Sequence, residues 1–308
     1  MIRFENICKA YAGRPAVVDV SFAVDRGELF GLIGPDGAGK STLFRILTTV
    51  LLADSGRAFF DGRDVVRDRR HVRRHVGYMP GRFSLYQDLS VTENLEFFAT
   101  IFGTTVAANY GLIKDLFAQL APFGGRRAGA LSGGMKQKLA LSCALIHNPR
   151  VLVLDEPTFG VDAVSRREFW NILGQLQARG VTILVSTPYM DEAELCDRVA
   201  LIQTGHLLRI DTPQGVRDSF DKHLYTVTTG EIHAGLNALA TAPELGPAYS
   251  FGQEIHLYAP GPLNPTAIEK VLAAHGLTDA AIGEGTPQIE DCFMDLMVTG
   301  APKESVVE

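Results

Sequence analysis

Three short segments combine residue types and spacings suited to phosphate chemistry. GPDGAGKST (residues 34–42) fits G-x-x-x-x-G-K-[ST] and falls between an apolar run, ELFGLI, and a helical pattern, TLFRILTTV. Gly34, Gly37 and Gly39, with Asp36 and Ala38 between them, let backbone N–H groups turn inward, and the start of the helix adds its positive end. A polyphosphate suits such a cradle. Lys40 would reach the β- and γ-phosphates, and the Ser41 hydroxyl, next to Thr42, would help hold Mg2+. VLVLDEP (151–157) ends an apolar run on two carboxylates, which in a chain with a phosphate loop suits Mg2+ coordination by Asp155 and water activation by Glu156. LSGGMKQKLALSCALI (131–146) opens a helix at Ser132, where two glycines expose N–H groups. It is either an ordinary N-cap or a second anion site. With one phosphate loop already present, a second cradle is best used in trans, on the nucleotide of another copy or a related subunit.

The elements that must position these segments follow from patterning. From residue 1 to about 220, β-type apolar runs alternate with helical patterns, which predicts an α/β domain on a mainly parallel sheet. ELFGLIG, RVLVLDE and VTILVST read as its strands, and ligands gather at the C-terminal edge of such a sheet. After VTILV, the stretch VSTPYMDEAE (185–194) predicts a helix capped by Thr187 with Pro188 in its first turn. VTENLEFFATIFG belongs to a helical insertion over 90–129. After TPQGV the order becomes strand LYTVT, helix HAGLNALAT, hairpin AYSFGQEIHLYA, helix PTAIEKVLAAHG, strand DAAIG and helix IEDCFMDLM. That predicts a small ferredoxin-like α+β domain over 221–308, after a first domain over 1–220. The tail APKESVVE is expected to fray.

Composition narrows the class. The 308 residues are 46% hydrophobic and 21% charged, ordinary for a globular protein, and the net charge of -6 argues against nucleic acid as a partner. Cys8, Cys143, Cys196 and Cys292 show no CxxC spacing, so neither a zinc site nor a disulfide framework is expected, and a reducing cytoplasm fits. The start MIRFENICKAY lacks the pattern of a signal peptide, and no apolar run approaches the ~18–20 residues of a spanning helix. Any membrane role is expected to come through a partner. His233, His256 and His275 are spread along the C-terminal part and read as packed or surface residues.

GPDGAGKST, LSGGM and VLVLDEP together resemble the nucleotide-binding subunit of an ATP-binding-cassette (ABC) transporter, over roughly residues 2–220. The resemblance implies a P-loop NTPase fold with a helical insertion, ATP and Mg2+ as ligands, and two ATPase domains dimerising head to tail. The signature residues Leu131, Ser132, Gly133, Gly134 and Met135 would then face the partner's nucleotide. It also implies that Tyr11 stacks on adenine, that FSLYQDLSVTENLEFF receives a permease segment at Phe83 and Tyr86, and that the chain sits on the inner face of the membrane through permease subunits. IEDCFMDLM is similar to the terminal helix of drug- and polysaccharide-export (ABC-2 type) ATPases.

The departures from the family pattern carry as much information as the matches. Where the family has a glutamine two residues after GYM stands Gly81, and where it has a histidine after VTILVST stands Pro188. Neither can hold the attacking water or stabilise charge on the γ-phosphate, and losing one such group costs on the order of 10² to 10³ in rate. Lesser departures are Asp36 for the usual asparagine and Phe159 for a small residue. The expectation is an exporter subunit that binds ATP but hydrolyses it slowly. Its signature would complete the site of a different ATPase subunit, with a homodimer using Glu156, aided by Arg82 or Tyr189, as the alternative. A soluble ABC ATPase outside transport and a regulatory ATP-binding module are the other readings, and the C-terminal domain is assigned to dimer stabilisation or regulation.

Overall fold

Short apolar runs with no charged interior position are buried on both faces only inside a layered sheet. The computed structural model, which describes residues 1–299, places the three expected runs side by side in such a sheet. Two compact units divide at Pro213 and Gln214.

In the first unit the strands are β1 (Ile2–Tyr11), β2 (Arg14–Val24), β3 (Leu29–Ile33), β4 (Ser55–Phe60), β5 (Arg63–Asp64), β6 (Val76–Met79), β7 (Val151–Asp155), β8 (Thr182–Thr187), β9 (Arg198–Gln203) and β10 (His206–Asp211). The helices are α1 (Lys40–Leu47), α2 (Arg69–His75), α3 (Val91–Ile101), α4 (Tyr110–Leu120), α5 (Gly133–Leu145), α6 (Ala163–Ala178) and α7 (Met190–Ala193). The main sheet runs β10-β9-β3-β8-β7-β6, parallel throughout except for β10. Every residue of β3, β7 and β8 is buried. Ile33 pairs with Thr187, and Asp155 with Ser186, so the chain leaves these strands at one edge at Gly34, Glu156 and Pro188.

The first 64 residues depart from the expected alternation. A separate antiparallel sheet, β2-β1-β4-β5, forms there. Its reason is local: Ala12 and Gly13 both have positive φ, 48° and 80°, and the two-residue turn between Tyr11 and Arg14 folds β2 straight back on β1 with no crossover helix. Helix α1 and both sheets share one apolar core, including Phe4, Phe22, Phe30, Phe44 and Leu184. The insertion is helical: Ser90 and Glu93 form a reciprocal capping box on α3, and α5 packs against both α3 and α4.

The second unit contains α8 (Pro213–Asp218), β11 (His223–Thr228), α9 (Ile232–Ala240), β12 (Ala248–Phe251), β13 (Glu254–Ala259), α10 (Pro265–Ala274), β14 (Ala281–Glu284) and α11 (Ile289–Thr299), of which only Pro213 belongs to the first. Its sheet, β12-β13-β11-β14, is antiparallel throughout, the ferredoxin-like arrangement. Asp291 of α11 is fully buried: its Oδ1 lies 2.6 Å from His256 Nδ1 and accepts from the Tyr258 hydroxyl at 3.0 Å, while Oδ2 accepts from the Gln288 N–H at 2.7 Å. Lys222 pairs with Asp295 of the same helix. The tail expected to fray lies outside the described residues. Among those residues, no helix is long and apolar enough to cross a membrane.

Candidate functional site

Residues 34–42 leave β3 and enter α1. A Cβ at position 34 would stand 2.1 Å from the Ile202 carbonyl oxygen, and one at Gly39 would stand 2.4 Å from that of Ala16, where φ is 105°. Both positions therefore exclude any side chain. Lys40, 3% exposed, donates from Nζ to the carbonyls of Gly34 at 2.7 Å and Pro35 at 2.9 Å, and lies 3.1 Å from Glu156 Oε1. The loop thus closes around its own ammonium group. Ala38 is buried, and its carbonyl accepts from Gly205; Asp36 and Gly37 are exposed. Thr42 Oγ1 stands 3.3 Å from the hydroxyl of Tyr11, which brings that exposed ring beside the loop.

The two carboxylates behave differently. Asp155 is buried, and its Oδ1 accepts from Ser41 Oγ at 3.0 Å and Ser186 Oγ at 2.7 Å. Glu156 adopts a left-handed φ of 48°, held by its N–H on Ser186, 3.1 Å from the carbonyl and 3.0 Å from Oγ. A non-glycine residue in that region stores strain, which concentrates at functional sites. Ser41 and Asp155 bring two hard oxygen atoms together, and among the described residues no group of three or more His, Cys, Asp or Glu could hold a metal. That donor set fits Mg2+, which takes one or two carboxylates alongside phosphate oxygens and water, and does not fit zinc.

Gly81 and Pro188 stand at the same edge. A Cβ at Gly81 would lie 3.1 Å from the Asp155 carbonyl oxygen and 3.9 Å from its Cγ. Thr187, just before Pro188, accepts the Gly34 N–H at 3.3 Å. The expected helix start is displaced: α7 begins at Met190 behind Tyr189, so Thr187 is not its N-cap and Pro188 is not in its first turn. A residue before proline is driven out of the helical region, so Thr187 stays in β8, and its hydroxyl accepts the Tyr189 N–H at 3.0 Å. The Arg166 guanidinium covers the Tyr189 ring at 5.0 Å, whereas Arg82 is exposed.

The signature segment lies apart from the phosphate loop in contact terms. Ser132 caps α5 through the Met135 N–H at 3.4 Å, and Leu131 is buried. A Cβ at Gly134 would stand 2.9 Å from Ser165 Cβ, and one at Gly133 would stand 3.6 Å from the Gly160 carbonyl, so the glycines pack on α6 and the loop before it. Phe159 in that loop is exposed. Asp162 caps α6, and the Ser165 N–H holds its carboxyl below the usual carboxylate range. Among the described residues no hydrogen bond or ion pair joins 131–135 to 34–42.

Phe83 is half-buried with Lys136 Nζ 5.6 Å over its ring, and exposed Tyr86 packs edge-on against Phe97. Asn94 fixes this surface from below: its side chain accepts from the Tyr86 N–H at 3.1 Å and donates to the carbonyls of Tyr86 and Ser90. A cavity of about 410 Å³ lies alongside, lined by Arg73, Tyr78, Ser84, Leu85, Phe102 and His147 among others. Burial, then the Asp155 charge, pushes the Tyr78 phenol up to about 12. Sequence reasoning missed Ser186, Asn94 and Glu192. Serine in VST and glutamate in DEAE read as ordinary strand-end and solvated residues, and only the fold gives them partners.

Fold and mouth together define a P-loop ATPase of the ABC class. The ABC transporter family matches residues 17–159. The probable multidrug ABC transporter ATP-binding protein YbhF of Escherichia coli (strain K12) is 37% identical over 332 aligned residues, covering 100% of this chain. The chain spans 57% of that relative's length. The Nod factor export ATP-binding protein I of Burkholderia lata is 41% identical over 221 residues, 71% of this chain and 73% of the relative. A solved structure described as the ATP binding subunit of an ABC transporter superposes with a TM-score of 0.65 at 28% identity, covering 71% of this chain and 93% of that one. That of cbiO1 from Clostridium perfringens, part of the ABC transporter complex cbiONQ, gives 0.63 at 26% identity over 71% of this chain and 90% of its own. The chain belongs to the ATP-binding proteins of ABC transporters.

Proposed function

We propose that this chain is the energy-coupling ATPase subunit of an exporter, binding Mg-ATP at a head-to-tail interface with a second ABC ATPase subunit, and that its own site turns over slowly. The observation that carries this reading is the convergence of Lys40, Ser41, Asp155 and Glu156 at one sheet edge where positions 81 and 188 offer no side-chain donor. The names of the relatives, multidrug transport and Nod factor export, support the transport role over a soluble ABC ATPase or a regulatory module.

In this mechanism the glycine loop wraps the phosphates, and Lys40 exchanges its contacts with the Gly34 and Pro35 carbonyls for the β- and γ-phosphate oxygens. Tyr11, Gly34, Asp36, Gly37, Ala38, Gly39 and Thr42 complete the nucleotide contacts. Ser41 and Asp155 would hold Mg2+, which, when bound, offsets charge on the β- and γ-phosphates. Glu156, released from Lys40, orients and deprotonates the attacking water. Gly81 cannot fix that water and Pro188 cannot donate to the γ-phosphate, so the barrier stays high. Ser132, Gly133, Gly134 and their neighbours Leu131 and Met135 serve the partner's nucleotide in trans. Phe83 and Tyr86 meet the permease, which keeps the chain at the cytoplasmic face of the membrane. The second unit stabilises or regulates the dimer.

A heterodimer follows if the partner keeps both sensors. In the mixed complex, Ser132→Ala should abolish ATP turnover while Glu156→Gln leaves most of it; equal losses contradict the heterodimer. The retained Glu156 favours a second reading, a homodimer with this carboxylate alone as base, in which Glu156→Gln abolishes turnover of the purified chain.

A further inference from the structure

Beside the mouth, a carboxylate that the phosphate chemistry does not use is buried where three segments cross. Glu192 of α7 is 2% exposed. Its Oε1 accepts from Thr158 Oγ1 at 2.8 Å, and its Oε2 accepts from Thr187 Oγ1 at 2.5 Å. Arg166 Nε lies 3.9 Å from Oε1, and the same guanidinium reaches Asp191 at 3.4 Å and covers Tyr189. Thr158 and Thr187 are themselves buried. Such a carboxylate is strongly unfavourable without donors, so these contacts are not interchangeable with solvent.

Each donor belongs to a different part of the site. Thr158 follows Glu156 in the loop that leads to exposed Phe159. Thr187 ends β8 immediately before Pro188. Arg166 lies in the first turn of α6, next to Ser165, against which Gly134 of the signature packs. The Thr187 hydroxyl is used in both roles, accepting from the Tyr189 N–H and donating to Glu192. Moving α6 or the 157–162 loop away from β8 would strand buried hydroxyls and a charge, so the three parts move together.

We propose that Glu192 is a positioning residue that clamps the Pro188 junction, the loop after Glu156 and helix α6 into one body, so that the signature at 131–135 keeps register with the chain's own phosphate mouth. The inference rests on the ATPase reading above. Where Pro188 supplies no side chain to the γ-phosphate, the Thr187 carbonyl still ties the junction to Gly34, and this clamp ties it to the 157–162 loop and α6.

The test uses the full chain, wild type against Glu192→Gln, Thr158→Val and Thr158→Ser, with hydrogen exchange, Mg-ATP titration and single-turnover hydrolysis. Without nucleotide, Glu192→Gln and Thr158→Val should raise exchange both at 158–166 and across 131–137, while Thr158→Ser, which keeps the hydroxyl, stays close to wild type. With Mg-ATP, affinity should change less than about threefold while hydrolysis falls roughly tenfold, within the range of coupling networks. A rise confined to 158–166, or a Thr158→Ser variant no better than Thr158→Val, overturns the clamp. Loss of affinity in parallel with turnover also overturns it, because that pattern marks a general loss of structure. Failure of the wild-type chain to bind Mg-ATP would instead overturn the ATPase reading, and the nucleotide-free exchange arm would still decide the clamp.

Discussion

Asp155 and Asp291 are both buried aspartates that collect hydrogen bonds from across the sequence, yet their surroundings differ. At Asp155 two serine hydroxyls load a single oxygen, Oδ1, and among the described residues no hydrogen bond reaches the other. The next residue, Glu156, is held in a left-handed conformation. At Asp291 both oxygens are committed, to His256, Tyr258 and the Gln288 N–H. The contrast is that one oxygen of Asp155 is left without a protein donor beside a strained neighbour, whereas both oxygens of Asp291 are tied to groups of its own unit.

The largest way to break this comparison is Asp291→Ala. It strands the Tyr258 hydroxyl and the His256 ring in the interior of the second unit, and should cost about 2–5 kcal/mol in chemical denaturation of the full chain while Mg-ATP affinity stays unchanged. Loss of affinity would mean that Asp291 also serves the site. Lys40→Ala is the converse: it should weaken Mg-ATP roughly ten- to hundredfold in a titration with a fluorescent ATP analogue, and a loss under about threefold would erase the distinction. A third effect, confined to a window of pH, concerns His147, stacked on Phe102 at 3.8 Å. Burial lowers its pKa from 6.5 to about 4. Between those values the unfolded chain takes up a proton that the folded chain resists, so this residue's contribution to stability is present above pH 6.5, declines as pH falls through the window, and changes no further below about 4. His147→Phe, which keeps the stack, should flatten that part of the stability profile measured by thermal unfolding; an unchanged slope would show that the ring titrates normally.

The parts of the site legible in the sequence are those whose chemistry lies within a few residues. The phosphate loop, the DE pair and the Ser132 cap each announce themselves by spacing, and strand, loop and helix follow one another at 29–47 as the pattern requires. What the pattern could not carry is long-range. Ser41 and Ser186 meet Asp155 across 114 and 31 positions. The antiparallel opening sheet turns on the positive φ of Ala12, a residue type with no turn preference to read. The helix after β8 starts late because a residue before proline resists helical geometry, a rule that competes with the capping preference of threonine. Glu192 sits in an acidic run that reads as solvated until the fold buries it.

The central claim is that this mouth binds Mg-ATP but lacks the side chains that speed its hydrolysis. Single-turnover hydrolysis by the full chain, compared with a Gly81→Gln, Pro188→His double variant at matched Mg-ATP saturation, tests it most directly. The Cβ at 81 meets the Asp155 carbonyl at 3.1 Å, so a glutamine there needs that backbone to give by a few tenths of an ångström. The account predicts an affinity within about threefold of wild type and a rate raised roughly tenfold or more. A wild-type chain that already turns over at the ~10 s⁻¹ of an average enzyme, with no gain in the double variant, would contradict it.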